Sequence, residues 1–514
     1  MTGAAVLAML LGLTAASFVF PVHRSFQMRD GTQERGSRGA SLALPASLSP
    51  ASRRAFVVRW DALTVAGLDE ALAQGAGGLV IVLPAAEAVL SGAALAQWAA
   101  VEEALVRRAI PVPVFFALDA PEVRRVEAEL ASPTSLDDIE LSVAGPTEAP
   151  FVTRPEVASF HGWLQGISGA VDMLPTVAVV AHYDTLAAAV HLASGADANG
   201  SGLAAVLELA RLFSKLYHQP RNRVAVNFLF VVTGGSRFNF AGTEAWAAQM
   251  DRQLLDRIDF ALCLESLGST DLHFHFSRPP KTQKIKAVYD VFADTARDMG
   301  ISLRQHRRKI NIAAEELAFE HEVFAKRHVL AFTVSGREQP SRGPSSLDRL
   351  ERLNQTAVVA NIAFLAEALF KHAFGFAGRP LRIFEGSLAA DERAVAEWLR
   401  VVASGSRVEF VLDKARGKSV ALDLIRDRLA DYTEQFSNRT YPLREGLVFR
   451  DCPQATLMHA SLTRSAFFHV ALVLGALVYL AGVFAGLEYL AKGRVDVQAL
   501  LESLLSFGSK QKRK

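Results

Sequence analysis

The chain has 514 residues, of which 50% are apolar and 21% are charged. Lysine and arginine (55) nearly balance aspartate and glutamate (53), so the formal net charge is +2. This balance provides neither a basic surface for nucleic acid nor an acidic tract, and we expect no nucleic-acid partner. The two cysteines are Cys263 and Cys452. Cys263 lies inside an apolar run, which predicts a buried thiol and a fold that does not depend on disulfides.

An apolar run at 4–20 opens the chain. It is close in length to the apolar region of a secretory signal and short for a membrane span. We interpret residues 1–22 as a signal sequence, although no lysine or arginine precedes the run. An uncleaved membrane anchor is the alternative. Residues 23–55 are rich in arginine, glycine, serine and proline, and we predict an extended surface segment there.

Two short apolar runs follow, at 78–83 and 110–118, and the stretch between them is helical in composition at 102–108. Strand, helix and strand at this spacing predict a small α/β lobe over residues 56–154. This lobe contains no motif that indicates chemistry.

The next region, residues 155–375, contains three long apolar runs, at 176–181, 224–232 and 259–264. Helices are predicted at 202–216, 283–299 and 355–370. Continuous apolar strands that alternate with helices indicate a parallel sheet covered on both faces. The predicted fold class is therefore α/β: a mostly parallel sheet flanked by helices, with a smaller N-terminal α/β lobe and one C-terminal transmembrane helix.

Residues 376–464 have a mixed composition with helical stretches, and we predict a helical stalk or cap. The predicted transmembrane helix, 465–488, contains the apolar run 466–487, whose 22 residues span about 33 Å at about 1.5 Å per residue. The run is long enough to cross a bilayer, and no polar stripe interrupts it. Basic residues cluster after this run, so the tail 489–514 is predicted to be cytoplasmic and the large body lumenal, as in a single-pass type I protein. Lys510 and Lys512 resemble a signal that retrieves membrane proteins to the endoplasmic reticulum. Contact of this basic end with lipid headgroups is the alternative.

Three Asn-x-Ser/Thr triplets are candidate glycosylation sites for a lumenal domain, at Asn199, Asn354 and Asn438. Such triplets also occur by chance, so each one alone is weak evidence.

A His-x-Asp pair, His182 and Asp184, stands directly after the apolar strand 176–181. In open α/β sheets, sites form beyond the carboxyl ends of strands. Alternation along the strand sends both side chains to the same side, where the carboxylate can orient an imidazole that binds a metal. The segment 195–202, Gly-Ala-Asp-Ala-Asn-Gly-Ser-Gly, then leads into a predicted helix.

Together these segments resemble the zinc aminopeptidase family, which includes nicastrin. Its pattern Gly-x-x-Asp-[Asn/Asp/Pro]-x-Ser-Gly places the carboxylate that bridges two metal ions at Ala198, whose methyl group cannot bridge cations. The family's Glu-Glu pair, a general base followed by a ligand, falls on Ser236 and Arg237. Glu265 matches the third ligand position. The segment 336–348, where the last ligand is expected, contains no histidine.

The resemblance thus implies a vestigial metal site of which only His182 and Glu265 remain. Because a catalytic zinc site needs three protein ligands and a water molecule, we predict a pseudoenzyme with no catalytic residues, no bound metal and no other cofactor. His182, Asp184, Asp197 and Glu265 are then expected to form an ordinary hydrogen-bond network. A glycan on Asn199 would lie across the entrance of the former site.

The order of segments along nearly the whole chain is similar to that of nicastrin-related proteins of the endoplasmic reticulum membrane. This resemblance implies a non-catalytic scaffold subunit in a complex with the nodal modulator protein and a small multispanning membrane protein. It also implies association with the Sec translocon and ribosome-associated machinery, where the complex assists biogenesis of multipass membrane proteins, and a link to Nodal signalling. Two alternatives stay open: a nicastrin-like substrate receptor for an intramembrane protease, and an active metallo-aminopeptidase with an unusual metal site.

Overall fold

The structure, a computed structural model, describes residues 17–39, 41–86, 88–132, 137–144, 151–167, 174–279, 281–311, 316–340, 345–408, 419–450, 455–464 and 466–491. The first 16 residues of the predicted signal, Cys452, and the tail beyond residue 491 with Lys510 and Lys512 lie outside this range. Cys263 is buried with a free thiol, as predicted.

Twenty β-strands are present in the described residues. In chain order they are β1 Ser17–Arg24, β2 Gln27–Asp30, β3 Gln33–Ser37, β4 Leu42–Ser47, β5 Ala55–Arg59, β6 Gly78–Leu83, β7 Ala109–Ile110, β8 Val114–Leu118, β9 Asp137–Val143, β10 Phe151–Val152, β11 Glu156–Leu164, β12 Thr176–His182, β13 Asn227–Thr233, β14 Ile258–Glu265, β15 Asp271–Phe276, β16 Ser302–Arg307, β17 Ala331–Ser335, β18 Gln435–Pro442, β19 Leu447–Arg450 and β20 Thr456–Arg464.

The α-helices of the described residues alternate with these strands. They are α1 Val65–Ala73, α2 Gly92–Arg107, α3 Pro121–Ala131, α4 Gly202–Tyr217, α5 Ala241–Gln249, α6 Arg252–Asp256, α7 Gln283–Asp298, α8 His321–Lys326, α9 Gln355–Ala373, α10 Glu392–Ala403, α11 Val420–Tyr432 and α12 Ala466–Ala491.

The N-terminal lobe is a closed barrel with the strand order β1-β20-β9-β4-β5-β6-β8. Strand β1 closes it, because Ser17–Val22 pair with β20 and Val22–Arg24 pair with β8. Phe20 and Val22 are buried in the barrel core. The predicted signal boundary at residue 22 is therefore wrong, since it falls inside a buried strand. The predicted extended segment 23–55 is wrong as well, because it supplies β2, β3 and β4.

We propose that the signal sequence ends at Ala16, directly before β1. Thr14, Ala15 and Ala16 provide the small residues that a signal-peptidase site requires. N-terminal peptide mass spectrometry of the mature protein is expected to find Ser17 as the first residue. A first residue after Val22 would contradict both this boundary and the role of β1 in closing the barrel.

Eight strands form the main sheet in the order β16-β15-β17-β14-β12-β13-β11-β18. Its centre is parallel, because β12 pairs with β13 and β14, and β14 pairs with β17. The flanks are mixed: β11 runs antiparallel to β13 and β18, and β15 runs antiparallel to β17. The predicted α/β architecture is confirmed, and the parallel arrangement applies to the apolar central strands.

Helices cover one face of the main sheet. There α4, α7, α9, α10 and α11 share one apolar cluster with β12, β13 and β14. The other face packs partly against the N-terminal lobe, so a second cluster contains Trp98 of α2 together with Val180 and Val231 of the sheet. This shared core holds the two lobes together through apolar burial.

The predicted helical stalk or cap over 376–464 is wrong in its main feature. The segment contains α10 and α11, which pack against α4, but it also returns three strands to the body of the protein. Strand β18 pairs with β11, β19 pairs with β2 and β10, and β20 pairs with β1 and β9. In β18 most side chains are exposed and polar, so the apolar alternation that predicts a strand is weak there.

Helix α12 begins two residues after β20 ends, at the position predicted for the transmembrane helix. Its side chains from Val473 to Tyr489 are exposed, with Val478 at 72% and Phe484 at 69%. Among the described residues, α9 is the one helix that is long and apolar enough to cross a membrane, but 67% of its apolar stretch is buried in the domain. The described apolar stretch of α12, Val473–Tyr489, is shorter. We assign α9 to the core, while the membrane-spanning role of α12 stays a prediction.

A buried carboxyl group joins the two lobes. Glu102 of α2 accepts hydrogen bonds from the backbone N–H groups of Ala188 (3.0 Å) and Ser346 (2.9 Å) and from the Ser346 hydroxyl. Complete burial raises the pKa of Glu102 to about 7, because the loss of hydration outweighs these hydrogen bonds.

This raised pKa predicts that stability falls as the pH rises. Since the folded-state pKa of Glu102 exceeds its ordinary value of 4.5, the folded state binds more protons, and ionisation between pH 5 and pH 8 costs about 2 to 3 kcal/mol. The variant Glu102→Gln imitates the protonated carboxyl. Its melting temperature should match that of the wild type at pH 5 and exceed it at pH 8.

Thermal melts of the full-length protein check this prediction, with Glu103→Gln on the partly exposed neighbour as control. Equal melting temperatures of wild type and Glu102→Gln at pH 8 would contradict it.

Candidate functional site

His182 ends strand β12 at the carboxyl edge of the main sheet, and its side chain is buried. Its Nδ1 lies 3.3 Å from Oε2 of Glu320. The other oxygen of Glu320 accepts hydrogen bonds from the hydroxyls of Thr233 (3.0 Å) and Thr243 (2.7 Å). Burial acts to lower the pKa of His182, but the hydrogen bond and charge of Glu320 outweigh it and raise the pKa. The imidazole is therefore held as one partner of a buried polar network.

Asp184 is completely buried two residues further on. Its Oδ2 accepts hydrogen bonds from the backbone N–H (2.9 Å) and the hydroxyl (2.6 Å) of Ser236. Ser236 occupies the position that the family resemblance assigns to the general base. A hydroxyl that donates to a buried carboxylate positions a loop and is not a base for water activation.

The segment 195–202 is anchored by two acidic side chains. The carboxylate of Asp348 accepts hydrogen bonds from the backbone N–H groups of Asp197 (2.9 Å) and Ala198 (2.8 Å). Asp197 in turn accepts from the Ser201 hydroxyl (2.9 Å) and the Gly268 N–H (2.9 Å). Burial and the nearby charge of Asp348 raise the pKa of Asp197. Both carboxylates therefore serve to fix the loop.

Asn199 is completely buried inside this loop. Its side-chain amide donates to the carbonyl oxygens of Leu264 (2.8 Å) and His182 (3.3 Å), and its oxygen accepts from the Ser266 N–H (3.3 Å). A glycan would be attached to that same enclosed nitrogen. The prediction that Asn199 is a glycosylation site, with a glycan across the entrance, is therefore wrong for the folded chain. Asn354 and Asn438 are exposed.

Arg407 supports the site from behind and is itself 3% exposed. Its guanidinium donates hydrogen bonds to the carbonyl oxygens of Tyr183, Ser194 and Gly195. Burial lowers the pKa of Arg407 to about 10, although the negative charges of Asp348 and Asp184 act to raise it. The side chain is still a cation at neutral pH, so it joins the two loops and supplies positive charge near the buried acids.

A pocket of about 340 Å³ opens beside this network, between the two lobes. It brings together four of the positions singled out in the sequence, which are His182, Ser236, Arg237 and Glu265. Ala198 is buried in the loop and does not line the pocket. The pocket also contains apolar side chains of the N-terminal lobe and the rim pairs Arg107 with Glu316 (3.4 Å) and Arg444 with Asp30 (3.2 Å).

These residues do not fit a dinuclear zinc centre. Across the described part of the chain, no three His, Cys, Asp or Glu side chains are arranged to hold a metal ion. Asp197 and Asp348 direct oxygen atoms at backbone N–H groups, and the guanidinium of Arg237 in the pocket wall would repel a cation. Ser236 and Arg237, at the positions of the family's base and ligand, therefore supply neither a general base nor a metal ligand to the pocket.

Three residues of this site were missed by the sequence reasoning: Glu320, Asp348 and Arg407. Asp348 offered a signal, since it ends the segment 336–348 in which the family's last ligand was expected. Glu320 and Arg407 lie in no motif. Their roles depend on contacts across 138 and at least 212 positions of sequence separation.

Comparison with known proteins places this fold in a family. The profile of Peptidase family M28 matches residues 168–369. A mouse protein, BOS complex subunit NCLN, is 32% identical over 434 residues, which cover 78% of this chain and 76% of the mouse protein. The chain belongs to the nicalin family. The human BOS complex subunit NCLN is 34% identical, with 69% of this chain and 68% of the human protein covered. Nicalin of Caenorhabditis elegans is 27% identical, with coverage of 67% and 66%.

Solved structures include zinc aminopeptidases with low sequence identity. The aminopeptidase from Aneurinibacillus sp. strain AM-1 is 15% identical, covers 74% of this chain and 89% of its own, and has a TM-score of 0.34. The zinc aminopeptidase BSAP from Bacillus subtilis is 14% identical, with coverage of 76% and 92% and a TM-score of 0.34. The family match confirms the aminopeptidase-like α/β fold that the sequence predicted.

Proposed function

We propose that the chain is a non-catalytic scaffold subunit of a membrane protein complex. The observation that carries this proposal is the state of the former metal site, where Ala198 replaces the bridging carboxylate and Ser236 and Arg237 replace the base and its neighbour. The polar residues that remain are used in hydrogen bonds that hold loops in place. Family members named BOS complex subunit support membership of a complex. We propose no cofactor.

The location that we propose is the endoplasmic reticulum membrane, in a single-pass type I arrangement with a large lumenal domain. Helix α12, with its exposed apolar side chains, supports a membrane-spanning role. Because β20 leads almost directly into α12, the barrel would lie close to the lipid surface. Lys510 and Lys512 at the end of the tail are the proposed retrieval signal.

The partners that we propose are the nodal modulator protein and a small multispanning membrane protein, near the Sec translocon and ribosome-associated machinery. The complex would assist the biogenesis of multipass membrane proteins, and a link to Nodal signalling is part of the same proposal. Membership of the nicalin family supports this assignment.

Affinity purification of the full-length protein from mild detergent, followed by mass spectrometry, tests the proposed complex. We expect the nodal modulator protein, a small multispanning protein and translocon components to be enriched over a purification with an unrelated type I membrane protein. Crosslinking in native membranes provides the counter-test. Recovery of presenilin-like proteins without translocon components would refute the scaffold proposal in favour of the nicastrin-like receptor.

The proposed topology predicts which triplets carry glycans. Asn354 and Asn438 are exposed in the described structure, whereas Asn199 is enclosed, so glycopeptide mass spectrometry should find glycans at the first two positions alone. Each of the variants Asn354→Gln and Asn438→Gln should remove one glycan, and Asn199→Gln should remove none. A glycan at Asn199 would contradict the buried position, and a protein with no glycan at all would contradict the lumenal domain.

A further inference from the structure

A second cavity, of about 420 Å³, shares no lining residue with the pocket beside His182. Its walls are the C-terminal parts of α7 and α9 and the segment 380–385. Thr295 and Asp298 contribute from α7, Glu367 and Lys371 contribute from α9, and Arg382 and Glu385 lie on the segment. No motif in the sequence pointed to this place. We refer to it as the α7/α9 cavity.

Two buried polar atoms of the α7/α9 cavity lack partners within the described residues. Glu367 is 2% exposed, and its Oε1 accepts hydrogen bonds from the N–H groups of Ile383 (2.7 Å) and Phe384 (2.7 Å). Its second oxygen, Oε2, accepts none. The hydroxyl of Thr295, which is 0% exposed, is also unpaired. Because a buried polar atom without a partner is unfavourable, a ligand that supplies hydrogen-bond donors would be stabilised here.

The charges that line the cavity leave Glu367 without an ion-pair partner. Lys371 pairs with Asp298 at 2.9 Å, and Arg382 lies 3.7 Å from Glu385. Three carboxylates thus face two cations, and Glu367 is in neither pair. Burial raises the pKa of Glu367, although the backbone hydrogen bonds and the charges of Lys371 and Arg382 act against the rise. The C-terminus of α7 also lies here, where the carbonyl oxygen of Asp298 accepts a hydrogen bond from Arg382 (3.0 Å).

We propose that the α7/α9 cavity binds a compact organic cation with N–H donors, an ammonium or guanidinium group, with Glu367 Oε2 as the main acceptor and the Thr295 hydroxyl as the second contact. Water could satisfy these hydrogen bonds, but it adds no positive charge to those of Lys371 and Arg382, which are already paired with Asp298 and Glu385. Calcium or magnesium is disfavoured, because these ions take six or more oxygen ligands and both Asp298 and Glu385 are engaged with cations. This inference does not depend on the proposed scaffold function.

Calorimetric titration of the full-length protein in mild detergent tests the proposal. The probes are methylguanidinium, ethylammonium, tetramethylammonium and calcium chloride. We expect methylguanidinium or ethylammonium to bind, and tetramethylammonium, which has no N–H donor, not to bind. Glu367→Gln should weaken binding at least about tenfold, as expected for loss of one charge-assisted hydrogen bond. Thr295→Val should weaken it by a smaller factor.

Matched controls separate this site from surface effects and misfolding. Glu129→Gln makes the same chemical change on the exposed face of α3 and should bind the probes as the wild type does. Glu367→Gln keeps the oxygen that accepts from Ile383 and Phe384, and its melting temperature shows whether it folds. Wild-type affinity should also rise with pH as Glu367 ionises, whereas the affinity of Glu367→Gln should not.

Several outcomes would overturn the proposal. The first is that neither methylguanidinium nor ethylammonium binds the wild type. The second is that these cations bind the wild type and Glu367→Gln with equal affinity. The third is that calcium binds in a way that depends on Glu367 while the N–H cations do not bind. Two further measurements identify the natural source of the cation. Native mass spectrometry that finds a bound amine indicates a free small molecule. Carbodiimide coupling of Glu367 to a lysine of another polypeptide in native membranes indicates a partner side chain.

Discussion

Replacing Arg407 with methionine should lower the free energy of unfolding by about 3 to 5 kcal/mol, as expected when one member of a buried charge network is removed. Methionine keeps most of the volume of the side chain but removes every donor. The carbonyl oxygens of Tyr183, Ser194 and Gly195 would then be buried without partners. The buried acids Asp184 and Asp348 would also lose their nearby cation.

The effect of the Arg407 substitution is measured by thermal and urea unfolding of the full-length protein. Arg407→Lys retains the charge, but its single ammonium group cannot reach three carbonyl groups. We therefore expect its free energy of unfolding to lie between those of the wild type and Arg407→Met. Arg393→Met, on the exposed side of α10, is the control and should change stability by less than about 0.5 kcal/mol. If Arg407→Met unfolded like the wild type, the guanidinium would not be what joins these loops.

Restoring the bridging carboxylate with Ala198→Asp should not restore a metal site. The side chain at position 198 is buried, and its backbone N–H already donates to Asp348. A new carboxylate would lie close to Asp348 and Asp197 with no added cation, and we expect a loss of about 3 kcal/mol or more in the free energy of unfolding. Ser236 and Arg237 still provide neither a base nor a ligand. Zinc would therefore have too few donors to compensate for the added charge.

Three measurements check the Ala198→Asp prediction: zinc content of the purified protein, hydrolysis of aminoacyl reporters, and melting temperature with and without added zinc. Ala198→Asn has nearly the same size without the charge, so it should be less destabilised than Ala198→Asp. Stoichiometric zinc together with hydrolysis, in the wild type or in Ala198→Asp, would support the active metallo-aminopeptidase and refute the scaffold proposal.

The central strands of the fold were predictable from sequence because they are apolar along their whole length. Strands β12, β13 and β14 are buried on both faces, so each appears as a continuous apolar run. Among the strands that were missed or misread, β1, β18 and β20 have exposed or polar positions. Their partners also lie far away along the chain, so no local pattern identifies them. Tertiary pairing decided their structure.

The candidate site was predictable to the extent that its residues belong to motifs. His182, Ser236, Arg237 and Glu265 were named from the resemblance to the zinc aminopeptidase pattern, and the structure brings them to one pocket. Glu320 and Arg407 contact the site from distant segments, and nothing in their local sequence distinguishes them from surface charges. Burial of Asn199 was unpredictable for a related reason. The triplet that marks a glycosylation site is local, whereas enclosure of its side chain by Leu264 and Ser266 is not.

Closure of the barrel by β1 and β20 has a consequence for the order in which the protein folds. Ser17 pairs with Ser461, so the edge of β1 that faces β20 stays unpaired until β20 has been synthesised, whereas its other edge can pair earlier with β8. During synthesis the unfinished barrel leaves this edge open beside Phe20 and Val22, which is a risk for aggregation. We expect the nascent N-terminal lobe to need protection by chaperones until α12 has been made.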